Sequence, residues 1–333
     1  MKELQNWFKE KNIILTHGDS DGICSGAIAK TAYPDAYVYF TSPVSLLDKL
    51  RFIDEVETLI ICDIAIDERY CSELYSVLNK FAEKCDLYYI DHHPFPKDYK
   101  KEDWFYHDTE VCSSELTYRV FEDRLNRDMR RVAIYGAIGD FSDNTPHIKK
   151  WVRDWDKRGL YFQAGALIQA IIHKGREYEF KRKLLEPLSN DIIPSNIPGL
   201  LELARDAAIN EEMVRVFVKE NVKVLKNSAY IVNPNNSISK AAIYAASYGR
   251  REVGIAAEYR DRKGVYDLSI RSRGEVDVNR LLRSVAPKFG GNGGGHPLAA
   301  GARIPEKFLN AFLRTFDKKL GKAKEIMNKR NAD

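Results

Sequence analysis

The sequence has few of the features that mark secreted, membrane-bound or zinc-ribbon proteins. It contains five cysteines in 333 residues, and no two of them form a C-x-x-C pair, so neither a disulfide framework nor a cysteine-rich zinc site is expected. No apolar run approaches the roughly 18 residues that cross a bilayer. Residues 1–10 predict a short amphipathic helix without the apolar centre of a signal peptide. We therefore expect a reduced, cytoplasmic protein that binds no membrane.

Neither sign of charge dominates the chain. Its 52 basic and 48 acidic residues leave a net charge of +4, which permits a nucleic-acid partner but does not require one. The chain is long enough for two domains, each with its own hydrophobic core.

Strand-like apolar segments alternate with helical ones over the first 150 residues. This alternation predicts an α/β fold with a mainly parallel sheet that is covered by helices on both faces. The predicted strands are residues 13–16, 37–40, 58–63 and 87–91, and the predicted helices are residues 25–33, 68–84 and 113–124.

The rest of the chain predicts two further segments. Residues 161–227 are charged, helical in periodicity and interrupted by prolines, which predicts a helical connector. A second, smaller α/β domain is predicted for residues 228–325, so that residues 1–160 form the first domain. Its predicted strands are residues 228–232, 252–259 and 265–272, and its predicted helices are residues 239–248 and 278–285.

Acidic residues and histidines follow four of the apolar segments. The four groups are Asp19 with Asp21, Asp63, Asp91-His92-His93, and Asp140. Because the carboxyl ends of parallel strands line one crevice, we expect the four groups to converge. When several carboxylates lie so close together, they cannot all stay ionised without cations. The pattern therefore predicts a metal site with two ions.

The types of side chain in these four groups narrow the choice of metal ion. Carboxylates with imidazoles, and no cysteine cluster, favour manganese or magnesium over zinc. Two such ions about 3.5–4 Å apart are a common device for hydrolysing phosphate esters. Taken singly, Asp63 or Asp140 has a more ordinary interpretation as a turn or cap residue.

The histidines outside the triplet are less informative. Three roles stay open for His17, namely metal ligand, substrate contact or packing beside the site. We assign His107, His147 and His173 to packing or to the surface.

The densest glycine cluster lies at residues 290–295, directly before His296. Glycine lets the backbone approach a ligand closely and presents N–H donors to it. With two arginines nearby, the cluster predicts a cradle for a phosphate or nucleotide, and the alternative is a flexible linker. The cradle residues are Arg271, Arg273, Gly293, Gly294, Gly295 and His296.

Taken together, these motifs resemble the DHH phosphoesterase superfamily, whose name-giving triplet is Asp91-His92-His93 here. The other acidic groups match the family's motifs in order, and residues 268–272 and 293–301 resemble its DHH-associated domain. The resemblance covers nearly the whole chain. It implies a catalytic domain and a substrate-binding domain with a cleft between them.

The resemblance also implies roles for individual residues. Manganese ions, or magnesium in their place, would be held by Asp19, Asp21, Asp63, His92 and Asp140. Asp91 and His93 would act beside the bound phosphate, while Arg271, Arg273, His296 and the glycine backbone would grip the substrate. Many members place a further histidine ligand four residues before the first aspartate, where this chain has Leu15, whereas His17 lies two residues before Asp19.

Within the family, the short chain and residues 17–22 resemble archaeal RecJ-like nucleases, above all the Hef-associated nuclease. That resemblance implies 3′-to-5′ digestion of single-stranded DNA in DNA repair, with a Hef-like helicase–nuclease as partner. Whether the chain forms a homo-oligomer stays open.

Two other functions are weighed against the exonuclease. One is an oligoribonuclease, or a phosphoesterase for pAp or cyclic dinucleotides, which needs only a short pocket. The other is a non-catalytic replication or repair scaffold, which the presence of every motif acid disfavours. An exonuclease also needs a basic, aromatic track along the strand. The candidates for that track are Trp151, Trp155, Arg176, Tyr178, Lys181 and Arg182.

Overall fold

A computed structural model describes residues 10–95, 102–234 and 237–330. The helix predicted for residues 1–10 lies, apart from Glu10, outside the described residues. The chain divides into two compact units, Met1–Ala207 and Ala208–Asp333, which are called unit 1 and unit 2 below. Among the described residues, no helix is both long and apolar enough to cross a membrane.

Unit 1 is built on a parallel sheet. Its strands are β1 (Asn12–Thr16), β2 (Tyr37–Phe40), β3 (Thr58–Cys62), β4 (Asp86–Asp91) and β5 (Phe105–His107). They lie in the order β2-β1-β3-β4-β5, and each neighbouring pair is parallel. The α/β fold with a parallel sheet is therefore confirmed.

Helices cover both faces of this sheet. The described α-helices up to residue 221 are α1 (Ser20–Ala32), α2 (Pro43–Leu50), α3 (Cys71–Ala82), α4 (Ser113–Val120), α5 (Arg130–Gly139), α6 (Pro146–Trp151), α7 (Lys157–Lys174), α8 (Tyr178–Ser189) and α9 (Leu200–Asn221). Successive residues of β1 point to opposite faces. Accordingly, Ile14 joins the core under α1, α4 and α5, while Ile13 and Leu15 join the core under α2 and α3.

The first helix begins earlier than its apolar pattern predicts. A start after Gly22 is expected from the sequence, but α1 begins at Ser20 because the Asp19 carboxylate accepts a hydrogen bond from the Gly22 N–H and caps the helix. The turn between β1 and α1 is therefore short. It holds Asp19 and Asp21 at the carboxyl end of β1.

Asp140 does not follow a strand. The prediction of a strand-like segment at residues 137–139 is wrong, since these residues end α5 and Asp140 caps that helix. Two glycines allow α5 to pack tightly, because a Cβ at Gly136 would lie 2.7 Å from Ser114 Cβ and one at Gly139 would lie 2.8 Å from Ser20 Cβ.

Helices of the predicted connector belong to the core of unit 1. Leu167 on α7 and Leu184 and Leu185 on α8 are buried with residues of α1 and α5. The boundary between the two units falls within α9. The three-part division at residues 160 and 227 stays a prediction.

Unit 2 contains a mixed sheet with the strand order β10-β11-β9-β8-β7-β6. Its elements are β6 (Lys223–Val224), β7 (Ser228–Val232), α10 (Ile238–Tyr248), β8 (Val253–Arg260), β9 (Val265–Ser272), α11 (Val278–Val285), β10 (Asn292–His296), β11 (Ala299–Pro305) and α12 (Leu309–Arg330). Only β7 and β8 pair in parallel among its described strands. The second α/β domain is therefore confirmed as a fold.

The glycine cluster is more regular than a loop. Residues 292–296 form the edge strand β10, which pairs with β11. Gly295 has φ = 146°, and a Cβ there would lie 2.8 Å from Ala300 Cα. The backbone conformation and the neighbouring strand both require glycine at this position.

Candidate metal centre

The turn after β1 carries the first two candidate ligands. His17 Nδ1 lies 2.9 Å from Asp19 Oδ2 and 3.8 Å from Asp63 Oδ2. Leu15, at the position where many DHH proteins have histidine, is fully buried in the core under α2 and α3. In this part of the chain, the imidazole that lies close to the acidic side chains is therefore that of His17.

Asp21 is held by the start of α4. Its two carboxylate oxygens accept hydrogen bonds from the backbone N–H groups of Ser113 and Ser114, at 2.8 and 2.9 Å. These donors sit at the helix N-terminus, where a negative charge is favoured. The sequence pattern predicts a helix that begins at residue 113, but it gives no partner for the first residues of that helix. Their contact with Asp21 joins segments 92 and 93 residues apart and carries no local signal.

Asp63 follows β3 in a left-handed conformation with φ = 57°, which is uncommon for a residue other than glycine. Its side chain is buried, and its Oδ2 has no hydrogen-bond partner among the described residues. A buried carboxylate oxygen without a donor is costly unless a cation satisfies it. The backbone and the side chain of Asp63 are thus both unusual at this one position.

His92 lies at the centre of the acidic groups. Its Nε2 is 3.4 Å from Asp63 Oδ1 and 3.9 Å from Asp21 Oδ2, and its Nδ1 is 3.7 Å from Asp140 Oδ2. The sequence places these four residues at positions far apart in the chain. The parallel strand order and the packing of α5 bring them together.

Asp91, the first residue of the triplet, contacts the side chain of His93, the last. Asp91 is buried and its Oδ1 is 2.8 Å from His93 Nδ1, which orients the ring and, despite the opposing effect of burial, raises the pKa of His93. His107 Nε2 lies 2.6 Å from the His93 carbonyl oxygen. The assignment of His107 to packing agrees with this position, while Asp91 contacts the site through His93.

A buried glutamate supports the segment after Asp140. The Thr145 hydroxyl donates to Glu115 Oε2 at 2.6 Å and also accepts from the Ile148 N–H at the start of α6. Glu115 is fully buried, and burial raises its pKa. Sequence reasoning missed Glu115 because it lies inside a helix with no motif around it.

Ionising all the carboxyl groups of this cluster at once is unfavourable in free energy. Burial raises the pKa of Asp63 well above its ordinary value, and the charges of Asp19 and Asp21 add to the effect. Burial also raises the pKa of Asp21 to about 6, with a contribution from Asp140 that His92 partly opposes. For Asp140 too, burial is the main cause of a raised pKa. A bound cation would relieve all three.

The ligand atoms form three overlapping groups that could hold metal ions. The groups are His17, Asp19 and Asp63; then Asp63, His92 and His93; and then Asp21, His92 and Asp140. In each group the ligand atoms lie within 4.8 Å of one another. Asp63 and His92 each belong to two groups, so neighbouring ions would share them. The donor set of carboxylates and imidazoles suits manganese or magnesium.

The candidate substrate residues of unit 2 form a row across three strands. In the antiparallel register, Arg271 on β9 lies opposite Ala299 on β11, and Ala299 lies opposite His296 on β10. Directly opposite residues point to the same face, so the small Ala299 side chain separates the two larger ones. Arg271 Nη2 donates to Ser239 Oγ at 2.6 Å, which fixes its direction.

The other members of the predicted cradle differ in their surroundings. Arg273 is exposed beyond the end of β9. A Cβ at Gly293 would lie 2.8 Å from Leu282 Cδ2, whereas at Gly294 the nearest atom would be 3.9 Å away. Packing against α11 therefore requires Gly293, while the space beside Gly294 is open.

The predicted nucleic-acid track is only partly exposed. Trp151 is buried in the core of unit 1 against Tyr118, so its assignment to the track is wrong. Lys181 is buried too, and its ammonium group donates to the Gly18 carbonyl oxygen. Tyr178 keeps 45% of its surface exposed.

Comparison with known proteins identifies the second unit directly. Residues 216–322 match the model of the DHHA1 domain. Two structures share the fold over the whole chain. The first, the DHH domain of a protein described as a member of a family of ribosomal proteins, has a TM-score of 0.70 at 19% identity and covers 93% of this chain and 86% of its own. The second is exonuclease RecJ bound to manganese, with a TM-score of 0.62 at 15% identity. The match covers 96% of this chain and 93% of the RecJ chain.

Unit 2 therefore contains a DHHA1 domain, and the chain shares its fold with proteins that contain DHH domains. Members of the DHH superfamily are metal-dependent phosphoesterases. One sequence relative extends over both units. It is the bifunctional oligoribonuclease and PAP phosphatase NrnA of Bacillus subtilis (strain 168), which is 24% identical over 306 residues and covers 83% of this chain and 82% of its own.

Proposed function

We propose that the protein is a two-metal exonuclease that hydrolyses phosphodiester bonds of single-stranded DNA. The observation that carries the proposal is the overlap of the three ligand groups at Asp63 and His92. Overlap of this kind suits two neighbouring cations, the arrangement that clamps the oxygens of a phosphate ester during displacement. Manganese is the expected ion and magnesium the alternative.

Each polar side chain has a role in this proposal. His17, Asp19, Asp21, Asp63, His92 and Asp140 hold the cations, which supply charge stabilisation to the phosphoryl oxygens. His93 contacts the substrate phosphate, and Asp91 keeps its ring in place through Nδ1. Ser113 and Ser114 fix the Asp21 carboxylate through their backbone N–H groups.

The second unit supplies the grip on the substrate. Arg271 and His296 contact a substrate phosphate, and the backbone of Gly294 offers the open approach beside them. The fold shared with manganese-bound RecJ supports a nuclease. Single-stranded DNA, 3′-to-5′ polarity, a role in DNA repair and a Hef-like partner stay predictions from the sequence.

A second candidate function has support of its own. NrnA, the relative that extends over both units, is by name an oligoribonuclease and PAP phosphatase. The same metal centre would then hydrolyse short RNA or pAp, with no need for a long track. The two candidates differ in the substrate length that they require.

The test is digestion of end-labelled single strands, 5-mers and 30-mers of both DNA and RNA, with manganese and with EDTA. Laddering of the long DNA from its 3′ end, only with metal, is the expected result. Cleavage confined to the short RNA would move the protein to the second candidate. No cleavage of any strand with manganese or magnesium would refute both.

The site assignment has its own control. The double variant Asp19→Ala, Asp21→Ala should lose cleavage, while Asp35→Ala, a matched change of an exposed aspartate in the same unit, should keep it. Wild-type activity in the double variant would show that the chemistry lies elsewhere. Circular dichroism of all three proteins checks that they fold.

A further inference from the structure

A surface cavity of about 650 Å³ lies beside the edge strand β2, between α2 and α8. Aromatic rings line it together with cationic and hydroxyl side chains. The rings include Tyr37 and Tyr178, and the cations are Lys49 and Arg182. All of these residues belong to unit 1, but none of them belongs to the three metal-ligand groups.

One residue that lines the cavity also contacts a turn of the candidate metal centre. Tyr178 reaches the turn after β1, since a Cβ at Gly18 would lie 3.0 Å from Tyr178 Cε1. Gly18 is the residue between His17 and Asp19, which belong to one of the metal-ligand groups. Tyr178 therefore contacts both the cavity and the turn that carries this metal-ligand group.

The rings offer an exposed stacking surface. Tyr178 stacks on the buried ring of Phe40 with centroids 5.8 Å apart and planes at 28°. It still keeps 45% of its surface exposed, and Tyr37 keeps 41%. The Lys181 ammonium group also lies over the Tyr178 ring, 5.4 Å from its centroid. Exposed aromatic rings are the usual platforms for nucleobases.

The two cations suit an anion between them. Lys49 Nζ is fixed at 2.5 Å from the Phe40 carbonyl oxygen. Lys49 and Arg182 both line the cavity, and burial together with the positive charge of Arg182 lowers the pKa of Lys49. A phosphate would relieve the repulsion from Arg182. Hydroxyl groups of Ser42 and Ser45 line the same cavity.

Two acidic residues also line the cavity, and each has a partner within it. Glu10 Oε2 accepts the Tyr39 hydroxyl at 3.0 Å, so its charge is partly satisfied. Glu179 pairs with Arg182, but its side chain is 76% exposed. Exposed pairs of this kind contribute about 0–1 kcal/mol, so a phosphate can take the place of Glu179.

We propose that this cavity binds one nucleotide of the single strand, with its base stacked on Tyr178 and its phosphate held by Lys49 and Arg182. The inference rests on the proposed function, because the strand that enters the cavity is the one cleaved at the metal centre. It also gives unit 1 a contact with substrate that is separate from the row on unit 2. Of the residues that the sequence predicts for the track, Tyr178 and Arg182 line this cavity.

The test measures kcat and KM on a ten-nucleotide single strand of whichever nucleic acid the wild type cleaves. Tyr178→Leu and Arg182→Gln should each raise KM about fivefold or more, the loss expected when a base loses its stacking ring or a phosphate its cation. Tyr178→Phe keeps the ring and should keep the KM of the wild type. Because Leu removes the stack on Phe40, the melting temperature of each variant is measured too.

Matched controls lie elsewhere on unit 1. Tyr70→Leu removes an exposed tyrosine, and Arg158→Gln removes an arginine that also pairs with a nearby acid. Both should leave KM unchanged. KM values within twofold of wild type for Tyr178→Leu and Arg182→Gln, in folded proteins, would overturn the inference. A wild type that cleaves no strand would instead refute the proposed function.

Discussion

The two units place their polar side chains by different means. In unit 1, the turns at the carboxyl ends of β1, β3 and β4 bring acids and histidines together, because parallel strands all end at one edge. In unit 2, Arg271, Ala299 and His296 meet because antiparallel register sets them opposite one another. Strand order suffices to predict the first arrangement. The second requires the register of each strand pair, which the sequence pattern does not contain.

The largest expected effect tests the unit 1 arrangement at its most unusual residue. Asp63→Asn removes a ligand shared by two groups and should lower kcat by about a hundredfold to a thousandfold, the range for losing one preorganised electrostatic contact. Steady-state cleavage with manganese measures it. Activity within tenfold of wild type would show that Asp63 holds no essential cation.

The same variant makes a prediction about metal removal. Manganese at about 100 times its dissociation constant should raise the free energy of unfolding of the wild type by about 2.7 kcal/mol relative to EDTA. In Asp63→Asn that difference should shrink, while in Asp35→Asn it should persist. Because burial penalises the charge of Asp63, the variant in EDTA should be at least as stable as the wild type in EDTA. Thermal melts with and without manganese provide all of these values.

A smaller effect tests how α5 supports the same site. A Cβ at Gly136 would lie 2.7 Å from Ser114 Cβ and 2.8 Å from Asp21 Oδ1. Gly136→Ala should therefore destabilise the protein by about 1–3 kcal/mol through overpacking and lower activity by moving Asp21. Urea unfolding measures the first effect and cleavage the second.

Gly165 on α7 provides the control for that change. No atom lies within 4 Å of a Cβ built there, so Gly165→Ala should be neutral or stabilise the helix by up to about 1 kcal/mol. Equal stability of the two variants would show that α5 tolerates the added methyl group by shifting.

The smallest expected effect tests the row in unit 2. Ala299→Leu fills the gap between Arg271 and His296 and should raise KM about tenfold with kcat nearly unchanged, the range for a modest misfit in a binding site. Leu298→Ala changes an exposed neighbour and serves as the control, in which KM should stay unchanged. An unchanged KM in Ala299→Leu would contradict a phosphate site between Arg271 and His296.

Much of unit 1 could be predicted because its signals are local. The strands at residues 13–16, 37–40 and 87–91 stand out as apolar runs. Asp19 lies three residues after the first of them, and Asp91 ends the last. Asp140 shows the limit, because residues 137–139 have strand-like composition but end a helix. The close packing of α5 on α1 and α4 is decided by Gly136 and Gly139 against partners far away in the chain.

The supporting contacts of the site were beyond the reach of sequence patterns. The hydrogen bonds from Ser113 and Ser114 to Asp21 and the contact of Thr145 with Glu115 join separate segments of the chain. The sequence predicts Trp151 as a candidate for the substrate track because aromatic residues often stack on bases, but Trp151 is buried in the core. Burial depends on how helices pack, and composition alone does not decide it.

The sequence by itself determined the alternation of strands and helices, the superfamily motifs and the types of ligand at the metal centre, because these depend on neighbouring residues. The tertiary structure alone decided which atoms meet. In the folded chain, Asp63 Oδ2 is buried without a hydrogen-bond donor among the described residues. His92 lies close to three carboxylates, and a cavity lies between β2, α2 and α8. Such distances arise from packing between segments far apart in the chain, where each contact depends on the shape of the whole unit.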